Sequence, residues 1–202
     1  MGYTAIVDYG VGNLKSVTNA LRYVGVSTQI AGEGAVLERA DAILLPGVGA
    51  FPDAAERLRE SGLGRVLLEQ AGRKPLLGIC LGMQLLFERG EEVRNCEGLG
   101  LVGGCVRKIE TEYKLPHIGW NQLSFHQGSP LFAGVEAGSC VYFVHSFCGV
   151  ETCPQQVIAT TDYGATVVAA VQNGNVYGCQ FHPEKSGETG LQILKNFGGL
   201  NR

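Results

Sequence analysis

Strand-like and helix-like stretches alternate through the first half of this chain, and that alternation limits its folds more than any other feature. TAIVDY (4–9), STQIA (27–31), DAILLPG (41–47) and PLLGIC (75–80) read as strands. NLKSVTNALRYVG (13–25) reads as a helix stopped by Gly25, and FPDAAERLRESG (51–62) as a second. LGMQLLFERG (81–90) reads as a third, closed by Gly90. Apolar strands joined by helices predict a parallel sheet covered on both faces.

The second half has a different rhythm. LVGGCVRKIE, CVYFVHSFC, QVIATTDYG, TVVAAVQNG and VYGCQFHPE are strand-like runs separated by turn residues. QNGN (172–175) is a two-residue hairpin signal, and SGETGLQILKNFGG (186–199) reads as a final helix. No internal repeat or long linker divides the 202 residues, so a single domain, 1–202, is expected.

Composition narrows the function classes. The 30 glycines are roughly twice average usage and have neither a collagen period nor a low-complexity tract. A formal net charge of −3 gives no electrostatic footprint for nucleic acid or an anionic membrane. The opening MGYTAIVDYG has no basic stretch before an apolar run, and PLLGICLGMQLLF (75–87) is too short to span a bilayer. A cytoplasmic protein is expected. The 7 cysteines include no C-x-x-C and no zinc spacing with histidine, so neither a disulfide framework nor a metal site is expected. Most should be small buried hydrophobes.

Three segments carry possible chemistry. Gly78-Ile79-Cys80-Leu81-Gly82 lies where a strand meets a helix, in the pattern of a nucleophile elbow with cysteine at its centre. The turn strains the nucleophile's backbone and leaves no room for side chains at the flanking glycines. A helix starting after Cys80 would favour negative charge on the sulfur. A buried core cysteine is the alternative. In Gln180-Phe181-His182-Pro183-Glu184, His182 and Glu184 are two apart, on the same side of an extended segment. They suit a base and the group that orients it. Pro46-Gly47-Val48-Gly49 ends a strand parallel to the elbow strand, where backbone N–H groups can approach a substrate oxygen. Gly10-Val11-Gly12 lacks the third glycine of a dinucleotide site. His117, His126 and His145 have no carboxylate two residues away and read as structural or substrate-near. Trp120 is expected to pack.

Together these elements resemble the class I, or triad, glutamine amidotransferases, over nearly the whole chain and in the same order. Asp8-Tyr9-Gly10-Val11-Gly12-Asn13-Leu14, Pro46-Gly47-Val48-Gly49-Ala50-Phe51, Pro116-His117-Ile118-Gly119-Trp120-Asn121, Tyr142-Phe143-Val144-His145-Ser146 and Gln180 to Ser186 look like the glutaminase subunits of imidazole glycerol phosphate synthases.

The resemblance implies an α/β class: a flavodoxin-like, doubly wound, mostly parallel sheet with an added antiparallel section. It implies hydrolysis of glutamine through a Cys80 thioester, with His182 and Glu184 completing the catalytic set and no cofactor. Leu81, Val48 and Gly49 would form the oxyanion hole. Gly49, Gln84, Glu92, Ser146 and Phe147 would contact glutamine, Phe147 standing where the family often has Tyr. Asn13, Tyr142 and Lys185 would face a (β/α)8-barrel cyclase in a heterodimer, and that partner would take the ammonia. Other triad glutaminases, γ-glutamyl hydrolases and a non-catalytic binding module on the same fold are the alternatives. The P-G-V-G-A-F and P-H-I-G-W-N segments argue against the enzymes, and an intact Cys80, His182 and Glu184 against the module.

Overall fold

The computed structural model describes residues 2–200. Its first half runs β1 (Thr4–Val7), α1 (Leu14–Tyr23), β2 (Thr28–Ala31), α2 (Gly34–Arg39), β3 (Ala42–Leu45), α3 (Phe51–Glu60), α4 (Leu63–Gln70), β4 (Leu76–Ile79) and a single helical turn, α5 (Leu81–Gln84). Then come β5 (Phe87–Gly90), β6 (Cys96–Glu97), β7 (Val102–Lys108), β8 (His117–Gln122), β9 (Ser124–Phe125), β10 (Cys140–His145), β11 (Phe147–Val150), β12 (Val157–Asp162), β13 (Thr166–Asn173), β14 (Val176–Cys179) and α6 (Gly187–Gly199).

An eight-stranded sheet in the order β2-β1-β3-β4-β14-β13-β12-β9 organises the structure. Its first five strands are parallel, and β13, β12 and β9 extend it antiparallel. This is the doubly wound, mostly parallel sheet with an antiparallel section that the family resemblance implies. Alternation along the strands explains why both faces are covered. Ala5 and Val7 of β1, and Ile43 and Leu45 of β3, pack with Leu37, Leu58 and Leu67 of α2, α3 and α4. Ile6 and Leu44 point the other way, into the layer of Leu21 from α1 and Leu194 and Phe197 from α6.

Two smaller sheets complete the fold, a β10-β8 pair and a four-stranded sheet β11-β7-β5-β6. The run CVYFVHSFC is therefore two strands in different sheets, broken at Ser146. The hairpin is as expected: Asn173 pairs with Val176 across Gly174-Asn175. Among the described residues, no helix is long and apolar enough to cross a membrane.

Four features depart from the sequence reading. Helices α2 and α4 lie in stretches to which the sequence reading gives no element, although Leu63, Val66 and Leu67 of α4 recur at helical spacing. The third predicted helix ends at Gln84, and Phe87–Gly90 is a strand. Leu85, Leu86 and Phe87 are all buried, and a short apolar run of that kind fits helix and strand equally well. Gly90 is thus no helix stop. A Cβ there would lie 2.6 Å from Cγ of Phe51, so the ring occupies the space a side chain would need. Trp120 is 57% exposed rather than packed away. The cysteine expectation holds for most of the 7: Cys80, Cys105, Cys148 and Cys179 are buried, Cys96 is half-buried, and Cys140 and Cys153 are exposed.

The packing of Phe51 against Gly90 sets the cost of one substitution. Gly90→Ala forces Phe51 to move and should destabilise the fold by about 1–3 kcal/mol in chemical denaturation. An unchanged denaturation midpoint would contradict that packing of Phe51 against Gly90.

Candidate active site

Strand β4 delivers Cys80 to the carboxyl edge of the parallel sheet, the edge at which open α/β sheets bind ligands. Cys80 has φ 54° and ψ −112°, a conformation side chains avoid. Three contacts hold the turn. The Cys80 N–H donates to the Cys179 carbonyl at 2.7 Å. A Cβ on Gly78 would lie 2.6 Å from the Gly82 carbonyl oxygen, and one on Gly82 would strike the Leu45 carbonyl. The turn that presents the sulfur therefore exists only with glycine at both flanks.

The loop after β3 closes over this elbow. Gly47 lies so near that a Cβ would sit 2.8 Å from the Gly82 nitrogen and 2.9 Å from the Tyr9 hydroxyl. Tyr9 donates to the Pro46 carbonyl at 2.9 Å. Burial, with the nearby Cys80 charge adding to it, holds its phenol well above the ordinary range. Val48 is exposed, and Gly49 has φ +106°. Leu81 opens α5, so its N–H has no acceptor within the helix.

His182 comes just after β14, which lies beside β4. Pro183 opens a 3₁₀ turn, Pro183–Lys185, that folds Glu184 back onto the ring. His182 Nδ1 donates to Glu184 Oε1 at 2.8 Å, with both side chains under 5% exposed. The His182 N–H donates to the Tyr142 carbonyl at 2.9 Å, and its own carbonyl accepts from the Ser186 hydroxyl at 2.6 Å. Burial alone would lower the pKa of this imidazole. Hydrogen bonds and charge from Cys80 and Glu184 outweigh it and raise the pKa to about 9. Glu184 Oε2 is buried without a partner, so the imidazolium is what compensates this carboxylate. One helical turn carries little macrodipole, and the positive charge beside the sulfur is that of His182.

The three other buried sulfurs are differently placed. Burial pushes the Cys148 thiol up to about 11. It also raises Cys105 and, with a contribution from Glu184, Cys179. These groups stay protonated at neutral pH.

The other predicted residues fall around this centre. Gln84 is buried one turn after Cys80, and its Nε2 donates to the Phe147 carbonyl and to Gln180 Oε1, each at 3.0 Å. Glu92 Oε2 accepts from the Phe51 N–H at 2.8 Å, capping α3 one residue beyond Ala50. Ser146 sits between β10 and β11, and its carbonyl accepts from the Ile109 N–H. Lys185 Nζ lies 5.8 Å from the centroid of the Tyr142 ring, which meets Trp120 edge-on at 6.2 Å. Asn13 caps α1, its Oδ1 accepting from the Ser16 N–H at 3.2 Å. Among the described residues, no group of three His, Cys, Asp or Glu is disposed to hold a metal.

Motif reading assigns no role to Gln180, although its Nε2 lies 3.8 Å from the Cys80 sulfur. It also misses the buried pair His117 and His145, whose rings meet at 3.0 Å. These contacts join residues far apart in the chain and leave no local signature.

Comparison with known proteins gives a consistent result. The family model "Glutamine amidotransferase class-I" matches residues 5–199. The chain is 52% identical to "Imidazole glycerol phosphate synthase subunit HisH" of Bacillus thuringiensis (strain Al Hakam), over 97% of this chain and 94% of that one. A Bacillus anthracis protein of the same name is 51% identical over the same shares. Among solved structures, PurLQS from Thermotoga maritima superposes with a TM-score of 0.78 at 22% identity, covering 97% of both chains. A glutamine amidotransferase from Thermotoga maritima gives 0.64 at 17% identity, covering 93% of this chain and 78% of the other. These two structures share the fold; the family rests on the sequence matches. The chain belongs to the class-I glutamine amidotransferases, among the HisH subunits of imidazole glycerol phosphate synthase.

Proposed function

We propose that residues 1–202 act as one glutaminase domain in which Cys80, His182 and Glu184 hydrolyse glutamine and pass ammonia to a cyclase partner. The observation that carries this reading is the coincidence at one sheet edge of a strained Cys80 with a buried His182–Glu184 pair. Structural cysteines do not need positive φ, and surface histidines do not need buried carboxylates.

The chemistry is a consequence of that arrangement. The Cys80 thiolate attacks the side-chain amide carbon of glutamine, and the carbonyl electron pair moves onto oxygen. N–H groups of Leu81, Val48 and Gly49 are assigned to that oxyanion. Collapse of the tetrahedral intermediate breaks the C–N bond. The amide nitrogen cannot leave as an anion, so His182 gives it a proton and ammonia departs. The now neutral His182 takes a proton from water. The resulting hydroxide adds to the thioester, and glutamate leaves as the Cys80 thiolate is restored. Glu184 fixes the His182 tautomer, with Nδ1 donating, and so turns Nε2 toward the sulfur.

Gly49, Gln84, Glu92, Ser146 and Phe147 are assigned to the amino-acid end of glutamine. Gln84 has both amide protons engaged, so its oxygen is the atom it can offer. Phe147 contributes main chain, which makes its lack of a hydroxyl immaterial. Asn13, Tyr142 and Lys185 are assigned to the cyclase interface, and Trp120 joins them through its exposed contact with Tyr142. The partner is a (β/α)8-barrel cyclase in a cytoplasmic heterodimer. Ammonium is no nucleophile, so ammonia has to cross a dry junction to the cyclase.

Three outcomes are expected. Cys80→Ala should remove glutamine hydrolysis by about 10³-fold or more while leaving the thermal melting curve intact; full residual turnover would sink the assignment. In Glu184→Gln the His182 titration followed by NMR should move down from about 9, because a supporting charge is lost. Its pKa is raised in the folded state, so its contribution to stability is complete below about pH 6.5. It fades as pH rises through about 9, and Glu184→Gln should flatten that stability profile; an unchanged titration contradicts the pairing. Hydrolysis should rise when a barrel cyclase and its ribonucleotide ligand are added, and full-rate hydrolysis without them counts against a place in the synthase.

A further inference from the structure

A continuous hydrogen-bonded chain, buried at Cys80 and reaching a half-buried Asn121, leads from the sulfur to strand β8. Gln180 Nε2 faces the sulfur at 3.8 Å. Gln180 Oε1 accepts from Gln84 Nε2 at 3.0 Å, and Gln84 Nε2 also donates to the Phe147 carbonyl at 3.0 Å. The same carbonyl accepts from His145 Nδ1 at 2.8 Å. His145 Nε2 meets His117 Nδ1 at 3.0 Å, and His117 Nε2 meets Asn121 Nδ2 at 3.2 Å. Asn121 Nδ2 also donates to the Asp162 carbonyl at 2.7 Å.

One atom fixes the polarity of the whole chain. A main-chain carbonyl can only accept. The Gln84 atom facing Phe147 must therefore be its nitrogen. The second proton of that nitrogen meets Gln180, so the Gln180 atom there must be oxygen. That leaves the Gln180 N–H pointing at the sulfur. The other arm obeys the same logic. His145 Nδ1 faces the carbonyl and carries the proton. Burial lowers the His145 pKa to about 4, so the ring is neutral and its Nε2 accepts. His117 Nδ1 then donates, His117 Nε2 accepts, and Asn121 supplies the last donor. Asn121 is held in that sense by the Asp162 carbonyl. Every bond agrees with every other, which is how a buried polar network rigidifies its members.

We propose that Gln180 is a positioning residue for the Cys80 sulfur, its amide held donor-first by this relay anchored on the Phe147 carbonyl. The relay gives the thiolate a second donor besides His182 and fixes the direction of approach. The inference rests on the reading of Cys80 as the nucleophile. It adds a role for Gln180, which is fully buried and takes no part in the proton transfers above.

The test is the rate of Cys80 alkylation by iodoacetamide on the full chain, followed by mass spectrometry of the Cys80 peptide across pH. Iodoacetamide requires no glutamine site, so the result is independent of whether glutamine is the substrate. Gln180→Glu keeps the acceptor toward Gln84 and turns a carboxylate oxygen on the sulfur. It should slow alkylation at neutral pH by about tenfold or more and displace the profile to higher pH. Asn121→Asp removes the terminal donor of the histidine arm alone; the Phe147 carbonyl still orients Gln84 and Gln180, so this variant should leave the alkylation rate unchanged. Asn196→Asp is the matched control: Asn196 Nδ2 also has two acceptors, the Leu131 and Ala133 carbonyls, outside the relay. It should leave the Cys80 rate unchanged, and thermal melting of all three variants reports any general loss of structure. A wild-type rate and profile in Gln180→Glu overturns the proposal, and slowing by Asn121→Asp beyond that of Asn196→Asp overturns the anchoring on the Phe147 carbonyl.

Discussion

The parallel pairing of β14 with β4 is the interaction on which the site depends. Gly178 lies opposite Gly78, and Cys179 opposite Ile79. The next step of that register is the Cys179 carbonyl holding the Cys80 N–H. A segment about a hundred residues downstream is thereby laid against the elbow. The stretch immediately after β14 arrives beside the sulfur, and it carries Gln180, His182 and Glu184. A positive φ at a non-glycine residue costs of order 1–3 kcal/mol. Here the pairing, and the close packing at Gly78 and Gly82, leave the chain no relaxed alternative.

The same edge concentrates buried polarity. His182, Glu184, Gln84, Gln180, His117 and His145 lie behind nearly closed surfaces. Leaving any of them unpaired would cost about 1–3 kcal/mol for a neutral group and more for a charge. The structure meets that cost in two ways. The charged pair compensates itself, with the imidazolium answering the Glu184 carboxylate. The neutral groups are threaded into one chain of fixed polarity through the Phe147 carbonyl. Ser146, which parts β10 from β11, lets His145 and Phe147 lie two residues apart yet belong to different sheets.

Local patterns in the sequence carry much of this arrangement. The elbow is legible because its glycines and cysteine are contiguous and each answers a local steric demand. His182 and Glu184 are legible because Pro183 and a spacing of two constrain where they point. The parallel core is legible from strand and helix periods. The features that escape a linear reading depend on contacts between distant segments. Gly90 reads as a helix stop until Phe51 is seen to fill the space beside it. Leu85 to Phe87 suit either helix or strand, and the pairing of β5 with β6 and β7 decides between them. CVYFVHSFC alternates as one strand, and nothing within it announces a change of sheet at Ser146. Trp120 looks like core by residue type, but its place on the narrow β8–β10 pair leaves it in the open. Gln180 stands in plain view within its motif, but its role depends on Gln84, Phe147 and two histidines from three other strands and a helical turn.

The central claim is that one cysteine of seven is built as a nucleophile for glutamine. The most direct measurement is competition labelling with a glutamine-mimicking electrophile, followed by mapping of the modified peptides. Cys80 should be modified first, ahead of the exposed Cys140 and Cys153, and free glutamine should protect it. Equal or preferential labelling of the exposed cysteines, with no protection by glutamine, would contradict the account.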